Sequence, residues 1–188
     1  AAMGAKVGRP DATVWAIDIA PDDRSVMVAS DAGTLHELEL ATGREARVLD
    51  WTDGAGIVSV AYSPDGARIV ASNRDGRLQS WLTTSDQPLW AETATPSGPN
   101  LWEIVFSPDG SRFVTGGDRD VAVMHDTFTG QAIAGASFGE RERDDDVVLQ
   151  VRGLAFDADG TRLIGGTSRG TVHTWAVDDP RSETTSQA

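Results

Sequence analysis

Residues 58–72 read VSVAYSPDGARIVAS. Around the Ser63-Pro64-Asp65-Gly66 quartet the apolar side chains fall on every second position, with Val58, Val60 and Tyr62 before it and Ile69 and Ala71 after it. A period of two belongs to a strand with one face buried, and a Pro-Asp-Gly group is the chemistry of a tight turn between two such strands. The template recurs as IDIAPDDRSVMVAS at 17–30, IVFSPDGSRFVTGG at 104–117 and LAFDADGTRLIGG at 154–166. The turn anchors Pro21, Pro64, Pro108 and Ala158 are 43, 44 and 50 residues apart. Self-similarity at that interval marks a repeat architecture.

Each unit continues beyond this hairpin. A second strand is expected at 26–30, 69–72, 113–115 and 163–165, and a third at 34–40, 77–82, 121–125 and 171–177. A fourth follows at 45–49, 89–93 and 131–138, after turns such as Phe128-Thr129-Gly130. Four short antiparallel strands per unit make a blade of a β-propeller. The first strands carry bulky side chains on one side (Trp15, Ile17 and Ile19; Trp102, Ile104 and Phe106) and smaller ones on the other. Bulky against slender suits sheets wedged around an axis, each unit's bulky side meeting the next unit's slender side. The fold class is therefore all-β, with four four-stranded antiparallel blades at about 14–56, 57–100, 101–150 and 151–179.

At these residues the chain resembles the WD40-repeat family, in a divergent bacterial-looking form. The SPDG turns at 63–66 and 107–110 carry the resemblance, with Trp81 and Trp175 in the third strands. The run His125-Asp126-Thr127-Phe128-Thr129-Gly130 is similar to the family's Trp-Asp-x-x-Thr-Gly, with His in the Trp place. Leu38 also replaces that tryptophan, and only Asp75 matches the family's structural aspartate. The resemblance implies a non-enzymatic protein-interaction or scaffold module.

The ends fit an overlapping closure. Residues 1–8 (AAMGAKVG) align with AIAGASFG at 132–139, so 1–9 reads as an orphan outer strand, whereas 180–188 reads as a disordered tail. The fourth blade then lacks its outer strand, and the arrangement is that of the C-terminal part of a larger seven- or eight-bladed ring. Upstream blades or a second copy would complete it; four blades closing alone is the alternative.

Charge and composition narrow the function. Asp and Glu number 29 against 16 Lys and Arg, a net charge of −13 in 188 residues, which disfavours nucleic acid and acidic membrane surfaces as partners. Without cysteine there is no disulfide framework and no thiolate chemistry. No apolar run spans a bilayer and the opening residues lack the build of a secretory leader, so a cytoplasmic location is expected. The excess of Arg over Lys points to a GC-rich bacterial genome.

No GxSxG, HExxH or phosphate-binding glycine loop occurs, and neither catalytic residues, cofactor nor metal site is expected. His36 and His173 hold equivalent third-strand positions but are too few for a metal site. Asp157-Ala158-Asp159-Gly160 opens like a calcium loop, yet it occupies the SPDG position and reads as a turn, and the acidic stretch 139–146 reads as a solvated loop. The distinctive residues gather on the rim opposite the SPDG turns: Trp15, Trp51, Trp102 and Arg152 near first-strand starts, and Arg74, Arg119 and Arg169 in the loops after second strands. Aromatic and Arg side chains on an exposed rim are typical binding hot spots, so these seven are the candidate contacts for a protein or peptide partner. The plainer alternative has the tryptophans capping the core and the arginines pairing with nearby aspartates. A propeller hydrolase or lyase using Asp18 and Glu103 in a central channel, and a purely structural subunit, are the rival functions.

Overall fold

The computed structural model describes residues 12–51, 54–92, 100–118, 121–137 and 150–187. The expected orphan strand at 1–9, the acidic loop at 139–146, Arg119 and Asp120 lie outside them. Among the described residues every regular element is a strand, and no helix is long and apolar enough to cross a membrane.

The strands form four antiparallel meanders, each pairing in sequence order. The first holds β1 (Val14–Ile19), β2 (Ser25–Ser30), β3 (Thr34–Glu39) and β4 (Glu45–Asp50). The second holds β5 (Ile57–Tyr62), β6 (Arg68–Asn73), β7 (Leu78–Leu82) and β8 (Pro88–Glu92). The third holds β9 (Glu103–Phe106), β10 (Arg112–Gly116), β11 (Val121–Asp126) and β12 (Ala132–Ser137), and the fourth β13 (Val151–Phe156), β14 (Arg162–Thr167), β15 (Thr171–Ala176) and β16 (Asp179–Gln187). These are the four expected blades.

One boundary is corrected. Residues 179–187 are not a disordered tail; they pair with β15 as the fourth blade's own outer strand, with His173 opposite Thr185 and Ala176 opposite Asp179. An outer strand is held by its main-chain ladder and needs no apolar alternation, which is why its polar composition misleads. Pro180, which has no N–H, falls where the register shifts between Thr174 and Ala176, so the ladder loses little there. The overlapping closure thus loses its premise at this end.

The SPDG turns show why the hairpins form where they do. Ser63 Oγ donates to Asp65 Oδ1 at 2.6 Å, Asp65 accepts the Ala67 N–H at 3.0 Å, and Gly66 sits at φ +69°, which costs glycine nothing. Ser107, Asp109 and Gly110 repeat the arrangement. These turns also touch in series: a methyl on Gly66 would lie 3.7 Å from Pro21 Cδ, on Gly110 3.5 Å from Pro64 Cδ, and on Gly160 3.2 Å from Pro108 Cδ. Consecutive blades therefore advance by one repeated step.

Packing between blades follows the expected rule with its direction reversed. Tyr62, Val60, Ile69 and Trp81 of the second sheet pack back onto Met27, Ala29 and Leu35 of the first. Ile104 and Phe113 pack onto Ala61, Val70 and Leu78, and Leu154, Leu163 and Trp175 onto Val114, Ala122 and Met124. The bulky side of each unit thus meets the preceding unit's slender side. Alternation assigns side chains to faces; which face turns backward depends on the twist and the link between sheets, which no local pattern encodes. Gly116 shows how close the approach is, since a Cβ there would stand 2.8 Å from Val151 Cγ1 and 3.0 Å from Leu154 Cδ1.

The third-strand aromatic column is mixed. Trp81 is fully buried, but its Nε1 has no hydrogen-bond partner among the described residues and Asp75 is exposed, so the family's polar network is not built around it. His125 instead stacks on Phe113 at 4.8 Å, and Phe113 on Trp90 at 6.1 Å. Its two ring nitrogens meet the Gly130 carbonyl at 3.0 Å and Thr115 Oγ1 at 3.1 Å. A neutral ring satisfies both contacts, its Nδ1–H donating to Gly130 while Nε2 accepts from Thr115. Burial pushes its pKa down from 6.5 to about 4.

Gly116→Val is expected to cost about 1–3 kcal/mol in urea unfolding by overpacking the contact with Val151 and Leu154; an unchanged midpoint contradicts that interface. His125 must be neutral in the fold, and the unfolded chain binds its proton more readily. Stability on its account is therefore complete above pH 6.5 and declines as pH falls toward 4, by up to about 3 kcal/mol. A His125→Phe chain should lack that slope in pH-dependent unfolding.

Candidate functional site

The starts of the inner strands and the loops after the second strands converge at the rim away from the SPDG turns. Counted from the turn anchors, Thr13, Gly56, Asn100 and Gln150 are equivalent, as are Asp31, Arg74, Asp118 and Ser168. Backbone bonds join these columns within blades: the N–H of Asp31 donates to the Thr13 carbonyl, Arg74 to Gly56, and Ser168 to Gln150, at 2.9–3.1 Å. They also join neighbouring blades, since the Asn100 N–H donates to the Arg74 carbonyl at 3.1 Å and Val151 to Gly117 at 3.0 Å. The loops are therefore stitched to one another.

On this frame four of the sequence candidates come together. The Trp15 and Trp102 rings, from the first and third blades, lie 5.9 Å apart at 44°. Arg74, from the blade between them, places its guanidinium 5.0 Å from the Trp15 ring, a cation–π contact. Trp102 Nε1 donates to Asp118 Oδ1 at 2.8 Å; Asn100 Nδ2 donates to the other oxygen at 2.7 Å, and Gln150 Nε2 to Oδ1 at 3.0 Å. The Arg152 guanidinium in turn bonds Gln150 Oε1. The chain of contacts thus crosses all four blades, while Trp15 stays 42% exposed and Arg74 and Arg152 remain at the surface.

The other candidates fall elsewhere. Trp51 is buried between the first two sheets, 5.9 Å from Trp81 in an edge-on contact, and is corrected from rim to core. It follows β4 rather than opening β5, and its N–H donates to the Gly33 carbonyl at 3.1 Å. Arg169 is exposed in the loop between β14 and β15, its N–H on Thr167 Oγ1. Sequence reasoning missed Asn100, Asp118 and Gln150 as the residues that hold the cluster. Aligning the units on their turn anchors would have exposed these columns.

Two other features bear on chemistry. β1, β5 and β9 border a groove of about 370 Å³ that includes Asp18, Tyr62, Trp102 and Glu103. Asp18 accepts the Tyr62 N–H at 2.7 Å, and burial raises the pKa of both carboxyls above the usual range. The equivalent histidines are engaged within their own blades. His36 lies between Thr34 at 2.8 Å and Glu45 at 2.7 Å, and His173 between Thr171 at 2.9 Å and Thr185 at 3.2 Å.

Sheets of this size, meandering in order and packed bulky face to slender face, define a protein of the β-propeller class. Residues 43–81 and 91–123 match the WD40 family, described as WD domain, G-beta repeat, so WD40 repeats are detected at these two positions. It is similar to the guanine nucleotide-binding protein subunit beta of Oryza sativa subsp. indica and to that of subsp. japonica. Identity to each is 35% over 72 residues, 38% of this chain, and the match covers 19% of the relatives' length.

Asp118→Ala removes the acceptor shared by Asn100, Trp102 and Gln150. It should lower stability by about 1–2 kcal/mol and move the Trp102 indole N–H resonance in the NMR spectrum. An unmoved resonance contradicts the network.

Proposed function

We propose that the chain is a protein-interaction and scaffold module that presents its loop rim to a protein or peptide. The observation that carries this reading is the Trp15–Arg74–Trp102 cluster: large aromatic surface and a guanidinium, partly exposed, fixed in place by Asp118 and loops from neighbouring blades. Rigid aromatic and Arg anchors lose little freedom on binding, which is what makes hot spots. In a chain of net charge −13, the exposed guanidiniums of Arg74 and Arg152 beside the two tryptophans suit a segment that combines acidic and apolar groups. Arg169, exposed in the loop between β14 and β15, extends the same surface in this proposal, and Arg119, outside the described residues, stays a candidate from the sequence alone. The relatives are named as the beta subunit of a guanine nucleotide-binding protein, and an assembly role agrees with that name.

The finer setting is part of the proposal: a cytoplasmic sensing or scaffolding part of a larger bacterial signalling protein, its blades belonging to a ring of seven or eight. A second reading, a hydrolase or lyase working in the channel, is favoured by Asp18 and Glu103 in the groove between β1, β5 and β9.

Affinity capture with the wild-type chain and with a Trp15→Ala/Arg74→Glu chain separates the readings. The rim reading expects recovery of a specific partner to fall at least about tenfold with the melting temperature unchanged. Undiminished recovery from the variant contradicts it, and loss on Asp18→Asn/Glu103→Gln instead would shift the function to the channel.

A further inference from the structure

The three interfaces between blades share one plan, and the first departs from it at a single corner of the SPDG rim. Ser25, Arg68 and Arg112 open β2, β6 and β10, each four residues past its turn anchor. The two arginines cross to the following blade. Arg68 lays its guanidinium over the Phe128 ring, 4.6 Å from the centre, and Arg112 Nη1 stands 3.5 Å from Asp178 Oδ1. Phe128 and Asp178 are equivalent, because each follows a residue whose N–H bonds back to its own blade's turn, Thr127 to Ser111 at 3.1 Å and Val177 to Thr161 at 2.8 Å. Thr83 bonds Ala67 in the same way at 3.0 Å, so the matching corner of the second blade lies at Thr83 and Thr84. Toward that corner the first blade presents Ser25. Its Arg47, from the outer strand, reaches the Ser85 carbonyl at 3.3 Å, and the inner part of the path stays open. The opening is a cavity of about 350 Å³, lined in part by Asp22, Ser25 and Glu37 of the first blade and by Tyr62, Asp65 and Thr83 of the second. That is a size at which pockets hold small groups.

The charge of the corner changes with its shape. Glu37 faces Met27 in register, where the next units have Ser80 opposite Val70 and Met124 opposite Val114. The neighbours thus hold a cation beside a neutral side chain, and the first unit holds a carboxylate beside a serine. That carboxylate is fixed. Its Oε1 accepts the Ser25 hydroxyl at 2.9 Å and the Tyr62 hydroxyl at 3.3 Å, its Oε2 accepts Arg47 Nε at 2.9 Å, and the side chain remains 17% exposed. Asp65 accepts the Ser63 hydroxyl and the Ala67 N–H, which hold its pKa below the usual carboxylate range. Among the described residues the lining contains three carboxylates and no basic side chain; Arg47 and Arg68 stand near it without lining it.

We propose that this cavity receives the side chain of an arginine carried by a partner protein, its guanidinium standing where the chain's own Arg68 and Arg112 stand in the next two interfaces. Those two corners show which group the space between consecutive blades accommodates. A guanidinium is planar, keeps its charge and offers five donors, which suits Asp22, Glu37 and Asp65, and its methylene stem finds apolar cover on Pro21 and Tyr62. The cavity opens on the SPDG rim, so the inference stands or falls separately from the Trp15–Arg74–Trp102 cluster on the opposite rim.

The test is an amide NMR titration of the 188-residue chain with N-acetyl-arginine amide, with the matching citrulline and lysine compounds and free arginine as comparisons. The arginine probe is expected to shift the Ser25, Gly66 and Thr83 resonances saturably, and to bind at least about tenfold tighter than the uncharged citrulline probe or the lysine probe. Free arginine, whose own carboxylate meets an acidic mouth, should bind more weakly than the blocked probe. Ser25→Arg installs the side chain found in the next two units; it should keep the circular dichroism spectrum and melting temperature of the wild type and lose the probe. Glu37→Gln should weaken the probe by about tenfold. Absence of shifts at these three residues overturns the proposal, as does citrulline or lysine binding as tightly as arginine, or a folded Ser25→Arg chain that still takes the probe. Tighter binding of free arginine would assign the cavity to the amino acid itself and overturn the partner's part in it.

Discussion

The structure depends on how closely two twisted sheets can approach when large side chains on one meet small ones on the other. Trp81, Phe113 and Trp175 are each too large to leave in water, and each finds cover on the slender side of the blade before it. A single sheet of four short strands has no interior of its own. Stability therefore arises between units, as in other repeat proteins, and a small residue such as Gly116 matters because of what its neighbour places against it.

The same repetition builds the rim. Because each blade advances by one step, residues at equal distance from successive turns lie near one another in space. Asp118 can then serve a tryptophan and an asparagine that open its own blade and a glutamine that opens the next. The outcome is a surface whose aromatic and cationic groups are set by the scaffold rather than by flexible loops. Such fixed groups suit recognition, and the half-buried carboxyls of the groove between β1, β5 and β9 are a separate feature.

Much of this was legible in the residues. The Pro-Asp-Gly anchors and the two-residue alternation around them located the four units and their first three strands, because those signals are local. Trp15, Arg74, Trp102 and Arg152 were legible as rim residues for the same reason: their offset from the turn fixes their end of the blade. Trp51 was not, since its burial depends on the backbone of the Gly33 turn meeting the segment after β4. β16 was missed because an outer strand of Asp, Ser, Glu and Thr is defined by its partner, β15, and not by its own pattern. The direction of packing, and the role of Asp118, likewise come from neighbours distant in sequence.

The central claim is that consecutive units pack in order, each turn against the one before. Nuclear Overhauser contacts between turn glycines and prolines test it most directly, since the Gly66–Pro21, Gly110–Pro64 and Gly160–Pro108 pairs lie in or near van der Waals range. The account predicts all three contacts between glycine α-protons and proline δ-protons. Their absence, or contacts that skip a unit such as Gly110 with Pro21, would contradict it.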